Sequence, residues 1–124
     1  MTVLRIVLAD DDPTVRELTT EALTRRSHDL TVVQSGTELL KLLSCDSRYD
    51  VVVTDNKMPG GPDGLEVMRE LRLDKRFKQT PIILHTGDDG DELRAAVASL
   101  GGLFAPKRDA FNPLFALVEE LARE

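Results

Sequence analysis

At 124 residues the chain has the length of one domain, enough to bury roughly two-thirds of its unfolded surface. Its composition, 41% hydrophobic and 31% charged, is that of an ordinary globular chain. A net charge of −6 argues against a surface for nucleic acid or an anionic membrane, which would need clustered Lys and Arg, and the single cysteine, Cys45, excludes an internal disulfide and fits a reducing compartment.

The opening residues, MTVLRIVLADDD, hold no apolar run long enough for a signal peptide or a membrane span, so a cytoplasmic protein is expected. LRIVLA at 4–9 predicts a first strand, ending on Asp10, Asp11 and Asp12. Asp12-Pro13, a capping residue followed by proline, opens a helix with the stripe Val15, Leu18 and Ala22. LTVV at 30–33 predicts a second strand and TELLKLL at 37–43 a second helix. Cys45 follows as an inert, packed or half-buried thiol. VVVT at 51–54 predicts a third strand running into Asp55, with LEVMRELR at 65–72 as the third helix. PIILHT at 81–86 is the fourth strand, and Leu93, Ala96, Val97 and Leu100 mark a helix stopped by Gly101-Gly102. GLFA at 102–105 leads to Lys107, and Leu114, Leu117, Val118 and Leu121 form a last helix after Asn112-Pro113. Continuous apolar runs are those of strands covered on both faces. The alternation predicts an α/β fold, a (βα)5 doubly wound parallel sheet over residues 1–124.

In such sheets ligands bind beyond the carboxyl ends of the strands. There the chain sets Asp10, Asp11 and Asp12, then Asp55, Thr86 and Lys107. Two carboxylates ~4 Å apart repel by about 4 kcal/mol at an effective dielectric near 20, a cost no fold gathers for stability. A hard divalent cation relieves it, and Mg²⁺ prefers carboxylates, waters and phosphate oxygens. A carboxylate so placed can attack phosphorus and become an acyl phosphate, while a metal, a Lys and a hydroxyl neutralise the phosphoryl oxygens. Helix capping by Asp12 with two exposed neighbours would explain the acidic run alone, but not its partners at the other strand ends.

These residues resemble the response regulator receiver domain of bacterial two-component systems over essentially the full length. The acidic pair is matched by Asp10 and Asp11 in LADDDP, and the phosphoacceptor by Asp55 in VVVTDNKMPGGPDG. Thr86, five residues after Pro81, matches the hydroxyl residue; Phe104 matches the switch aromatic, three residues before the lysine, Lys107. The resemblance implies a flavodoxin-like sheet of order 2-1-3-4-5 and a stand-alone signalling phosphoacceptor rather than an enzyme, catalysing only its own phosphorylation and dephosphorylation. Asp55 would take a phosphoryl group from a phosphohistidine on a sensor histidine kinase or a histidine phosphotransfer protein. Asp10, Asp11, Asp55 and the backbone carbonyl of Lys57 would hold Mg²⁺. Thr86 and Phe104 would switch the face of the fourth helix, fifth strand and fifth helix, through which an output protein or a second copy in a homodimer would dock. Lys57 and Asp88, of opposite charge, are expected to meet across the mouth of the site and slow the loss of phosphate.

The chain departs from the family in three places. MPGGPDG has one residue more than the usual loop, Lys107 is followed by Arg108 instead of a proline that is often cis, and Gly87 replaces the usual Ala. His28, expected in a polar turn, and His85, on the strand face opposite Thr86, are not expected to be phosphate carriers or metal ligands. Met58 and Met68 read as loop or core filler, and RELRLDKRFKQ as a solvated helix end and loop. A phosphatase of the haloacid-dehalogenase type offers a second function, since Asp10-Asp11-Asp12-Pro13-Thr14-Val15 fits its D-x-D-x-T-V word with Asp10 as nucleophile and Asp12 as acid/base. The chain is short for that fold, and Asp55 would have no role in it. A receiver-like scaffold that takes no phosphate is a third reading, supported only by the loop departures.

Overall fold

The computed structural model describes residues 2–123, so the two end residues of the expected 1–124 domain lie outside it. Five strands, β1 (Arg5–Ala9), β2 (Asp29–Val33), β3 (Val51–Thr54), β4 (Ile82–Thr86) and β5 (Leu103–Pro106), form one parallel sheet in the order 2-1-3-4-5. The helices α1 (Pro13–Arg25), α2 (Gly36–Cys45), α3 (Gly64–Arg72), α4 (Asp91–Ser99) and α5 (Asn112–Ala122) alternate with them, with short 3₁₀ turns at Lys75–Phe77 and Asp109–Phe111.

Alternation along the strands divides the interior in two. Val7, Val52, Ile82 and Leu84 face α2, α3 and α4 through Leu39, Leu43, Val67, Met68, Leu71 and Val97. Ile6, Leu8, Val53 and Ile83 face α1 and α5 through Leu23, Leu114, Phe115 and Val118. The buried stripe of α1 is Val15, Thr19 and Leu23 rather than Val15, Leu18 and Ala22, and Leu18 is 49% exposed. Thr19 is fully buried with its hydroxyl unpaired, and Leu18 falls beside the stripe in a groove shared with Phe111 and Phe115. Cys45 also departs from expectation: it closes α2 on the exposed side.

Helix starts follow their capping chemistry. The carboxylate of Asp12 accepts from the Thr14 amide, the hydroxyl of Ser35 from Glu38, and the carboxylate of Asp63 from Glu66. At the far edge of the sheet the Arg72 guanidinium donates to the carbonyls of Phe77, Thr80, Leu100 and Gly101, joining α3 to the turns before β4 and β5.

Both departures from the family's loops have a visible course. Gly60, at φ +86°, turns the β3–α3 loop toward α2: a Cβ on Gly36 would strike the Pro62 carbonyl, and one on Gly61 would lie 2.7 Å from the Thr37 hydroxyl. After Lys107 no cis bond occurs among the described residues. Instead Asp109, Ala110 and Phe111 take left-handed φ values of 51°, 54° and 63° before α5 begins, a conformation costing about 1–2 kcal/mol per non-glycine residue.

Candidate functional site

Register decides which side chains meet at the carboxyl edge. β1 pairs with β3 through Ala9 opposite Thr54, and the Asp55 amide donates to the Ala9 carbonyl at 2.8 Å. Asp10 and Asp55 therefore leave adjacent strands at one level. β4 pairs with β5 through Thr86 opposite Pro106, and the Lys107 amide donates to the Thr86 carbonyl at 2.9 Å, which fixes the root of the lysine.

The Lys107 ammonium lies 2.7 Å from Asp10 Oδ2 and 3.2 Å from Asp55 Oδ2. It bridges two carboxylates of different strands, so the repulsion expected in the acidic group is already relieved from within. Asp10 is fully buried and its other oxygen accepts from the Asp12 amide at 2.9 Å. Asp55 is buried, with Oδ1 accepting from the Asn56 amide at 2.8 Å. Burial pushes the Asp55 carboxyl above the usual carboxylate range; Lys107 opposes that push and Asp10 adds to it. The lysine in turn is held above its ordinary range, the two carboxylates outweighing the cost of burial. Asp11 is exposed. Asp10, Asp11 and Asp55 each offer a carboxylate oxygen within 4.8 Å of the others, a hard-donor set that suits Mg²⁺.

Thr86 is buried and its hydroxyl oxygen accepts from the Asp88 amide at 3.1 Å. Phe104 is half-buried against the α3–α4 side of the sheet, with the Arg94 guanidinium 4.3 Å above its ring. Asp10, Asp11, Asp55 and Lys107 are thus brought into contact or near it, with Thr86 on the neighbouring strand end.

Lys57 and Asp88 do not meet. Lys57 shares a groove with Asp11, Met58, Pro59 and Asp63, whereas Asp88 lines another with Leu65, Arg69 and Leu93. An ion pair across the mouth of the site is therefore withdrawn.

His85 is fully buried on the face opposite the α3–α4 side, edge-on to Phe111 at 4.9 Å, as its place beside Thr86 predicts. His28 is not in a polar turn but buried, its Nδ1 accepting from the Leu4 amide at 3.0 Å.

Three contributors escaped the sequence. Asn56 accepts from Leu65 through its side chain and from Gly64 through its carbonyl, fastening the start of α3 beneath Asp55. Arg16 donates to the Asp10 carbonyl at 2.9 Å. Arg94 covers Phe104. Asn56 directly follows a strand-end aspartate and could have been suspected; nothing in the local sequence points to the arginines.

The haloacid-dehalogenase reading needs Asp10 free to attack and Asp12 free to move a proton. Asp10 is fully buried, whereas the Asp55 side chain keeps accessible surface, and Asp12 is turned onto the Thr14 amide as a helix cap.

A model of the response regulator receiver domain matches residues 6–104. The response regulator MprA of Mycolicibacterium vanbaalenii is 39% identical over 120 residues, covering 97% of this chain and 48% of that protein. A CheY homologue of Campylobacter jejuni is 32% identical over 88 residues, 70% of this chain and 67% of the other. Among solved structures, the response regulator TrrA of Thermotoga maritima in complex with Mg²⁺ and beryllofluoride is 34% identical, with a TM-score of 0.81 over 98% of this chain and 99% of that one. The chemotaxis regulator CheY4 of Vibrio cholerae, at 22% identity and a TM-score of 0.84 over 97% and 99%, shares the fold. The chain spans about half the length of the MprA relatives it matches.

Proposed function

The chain belongs to the response regulator receiver domain family, a phosphoacceptor family of two-component signalling, and from that premise we propose that Asp55 is the acceptor of the phosphoryl group. The observation that carries this reading is Lys107, which reaches both Asp10 and Asp55. An ammonium at the acceptor carboxylate opposes the burial that favours its neutral form, and it stands where an incoming phosphoryl oxygen needs a countercharge.

The donor is a phosphohistidine of a sensor kinase or phosphotransfer protein. An Asp55 oxygen forms a bond to phosphorus while the bond from phosphorus to the imidazole nitrogen breaks. The bonding pair stays on the imidazole, which leaves neutral because its other nitrogen carries a proton. Lys107 shifts from the two carboxylates toward a phosphoryl oxygen, and the Thr86 hydroxyl donates to another. Its oxygen already accepts from Asp88, so its own proton is the part available. Asp10, Asp11, Asp55 and the Lys57 carbonyl would hold Mg²⁺, which supplies charge neutralisation at the phosphoryl oxygens when bound; the Mg²⁺ and beryllofluoride complex of TrrA supports that assignment. Thr86 and Phe104 are the two-state couple: as the hydroxyl turns to the phosphoryl group, space opens for the ring to move inward, and the α4–β5–α5 face changes for an output partner.

Incubation with acetyl phosphate and Mg²⁺ adds one phosphoryl mass to the parent and none to Asp55→Asn. Peptide mapping that finds the label on Asp10 overturns the assignment.

A further inference from the structure

Phe104 is held in its observed position from outside. Arg94 projects from α4 so that its guanidinium lies 4.3 Å over the ring, and the same guanidinium is paired with Asp89. Asp89 sits three residues after Thr86, in the loop that Thr86 anchors through the Asp88 amide, and Arg108 approaches it from the β5–α5 loop at 3.6 Å. The Arg94 side chain is 40% exposed and Phe104 only half-buried. A ring turned inward toward Thr86 would leave that solvent-facing cation behind.

We propose that Arg94, held by Asp89, is a latch that keeps Phe104 in the half-buried arrangement seen here, and so is a positioning residue that sets how readily the domain switches. This rests on Asp55 being the acceptor and on Thr86 and Phe104 being its couple. A contact present in only one of two states favours that state by its own strength and weakens any ligand that selects the other by the same factor. A cation over an exposed aromatic ring is worth a factor of roughly two to five. Removing Arg94 therefore tightens binding of a phosphoryl mimic. Plain electrostatics gives the reverse sign: deleting a cation near an anionic ligand weakens it. The direction of the change separates a latch from a simple charge effect.

The test titrates beryllofluoride with saturating Mg²⁺ into the parent, Arg94→Ala and Arg94→Lys, following amide NMR shifts in α4 and β5. Arg94→Ala is expected to bind roughly two- to fivefold more tightly, and without ligand its β5 shifts are expected to lie part of the way toward the bound positions. Arg94→Lys, which keeps a cation for both Asp89 and the ring, returns most of the way to the parent. In a Thr86→Val background, where the hydroxyl no longer couples the ring to the ligand, Arg94→Ala leaves the affinity unchanged. Equal or weaker binding by Arg94→Ala in an otherwise responsive protein overturns the latch alone. A parent that binds no beryllofluoride overturns the acceptor reading and the latch with it.

Discussion

Gly64 has no room for a methyl group. A Cβ there would sit inside contact distance of the Asp55 carbonyl, which is backbone and cannot swing aside, and 2.8 Å from a Leu84 methyl. Gly64→Ala must therefore move either the start of α3 or the acceptor strand end. It is expected to lose about 1–3 kcal/mol by urea unfolding and to take up phosphate from acetyl phosphate more slowly than the parent. An unchanged uptake rate would mean that α3 alone absorbs the shift. Asp10, Asp55, Thr86 and Lys107 were legible in the sequence because each closes or directly follows an apolar strand, and a parallel sheet brings all its strand ends to one edge. Their mutual relief of charge was not legible: it depends on where an ammonium at the end of a flexible stem comes to rest. Lys57 and Asp88, close in expectation, lie in separate grooves.

The β5–α5 turn is the element in which backbone strain is concentrated. Asp109, Ala110 and Phe111 are all left-handed, and none is glycine. Ala110 is exposed, so replacing it removes little packing. Ala110→Gly is expected to raise stability by about 0.5–1 kcal/mol, the steric relief partly offset by a more flexible unfolded chain, as a higher melting temperature would register. A neutral or lower value would mean that the methyl, not the dihedral, matters there. At this scale the five strands were legible to within a residue or so at each end: the buried strands read as unbroken apolar runs, and the partly exposed edge strand β2 still carries the short run LTVV. Helix α1 was legible in extent but not in face: Thr19 is polar by name yet fully buried, and Leu18 lies beside the stripe. The left-handed turn carries no local signal. It has no glycine to announce it, and the tertiary packing of Phe111 against His85 compensates for its strain.

For the molecule as a whole, acid stability follows from His85. Its two ring nitrogens have no partner, and burial, reinforced by the charge of Lys107, holds its pKa at about 3. The unfolded chain takes up this proton near pH 6.5, whereas the folded chain refuses it until near 3. Stability is therefore full above pH 6.5 and falls as pH drops through that window, by about 1.4 kcal/mol per unit for one such group. His28, also lowered by burial, acts in the same direction. Asp55, whose pKa is raised, opposes them over the lower part of the window, since its contribution is present below its unfolded value and lost as pH rises through the folded one. His85→Leu is expected to flatten the acid limb between pH 6.5 and 5 in urea melts; an unchanged slope would move the cause to His28 or to the site carboxylates. The pair formed by Lys107 and Asp10 joins residues 97 apart in the chain. On a ribosome the acceptor strand emerges about fifty residues ahead of that lysine, and the sheet grows outward from β3 through β4 to β5 in order of synthesis. Until β5 has cleared the exit tunnel Asp55 lacks its cation, so a nascent chain displays the proposed acceptor without the lysine that serves it. With Asp55 as the acceptor, competence to receive a signal arrives only with β5.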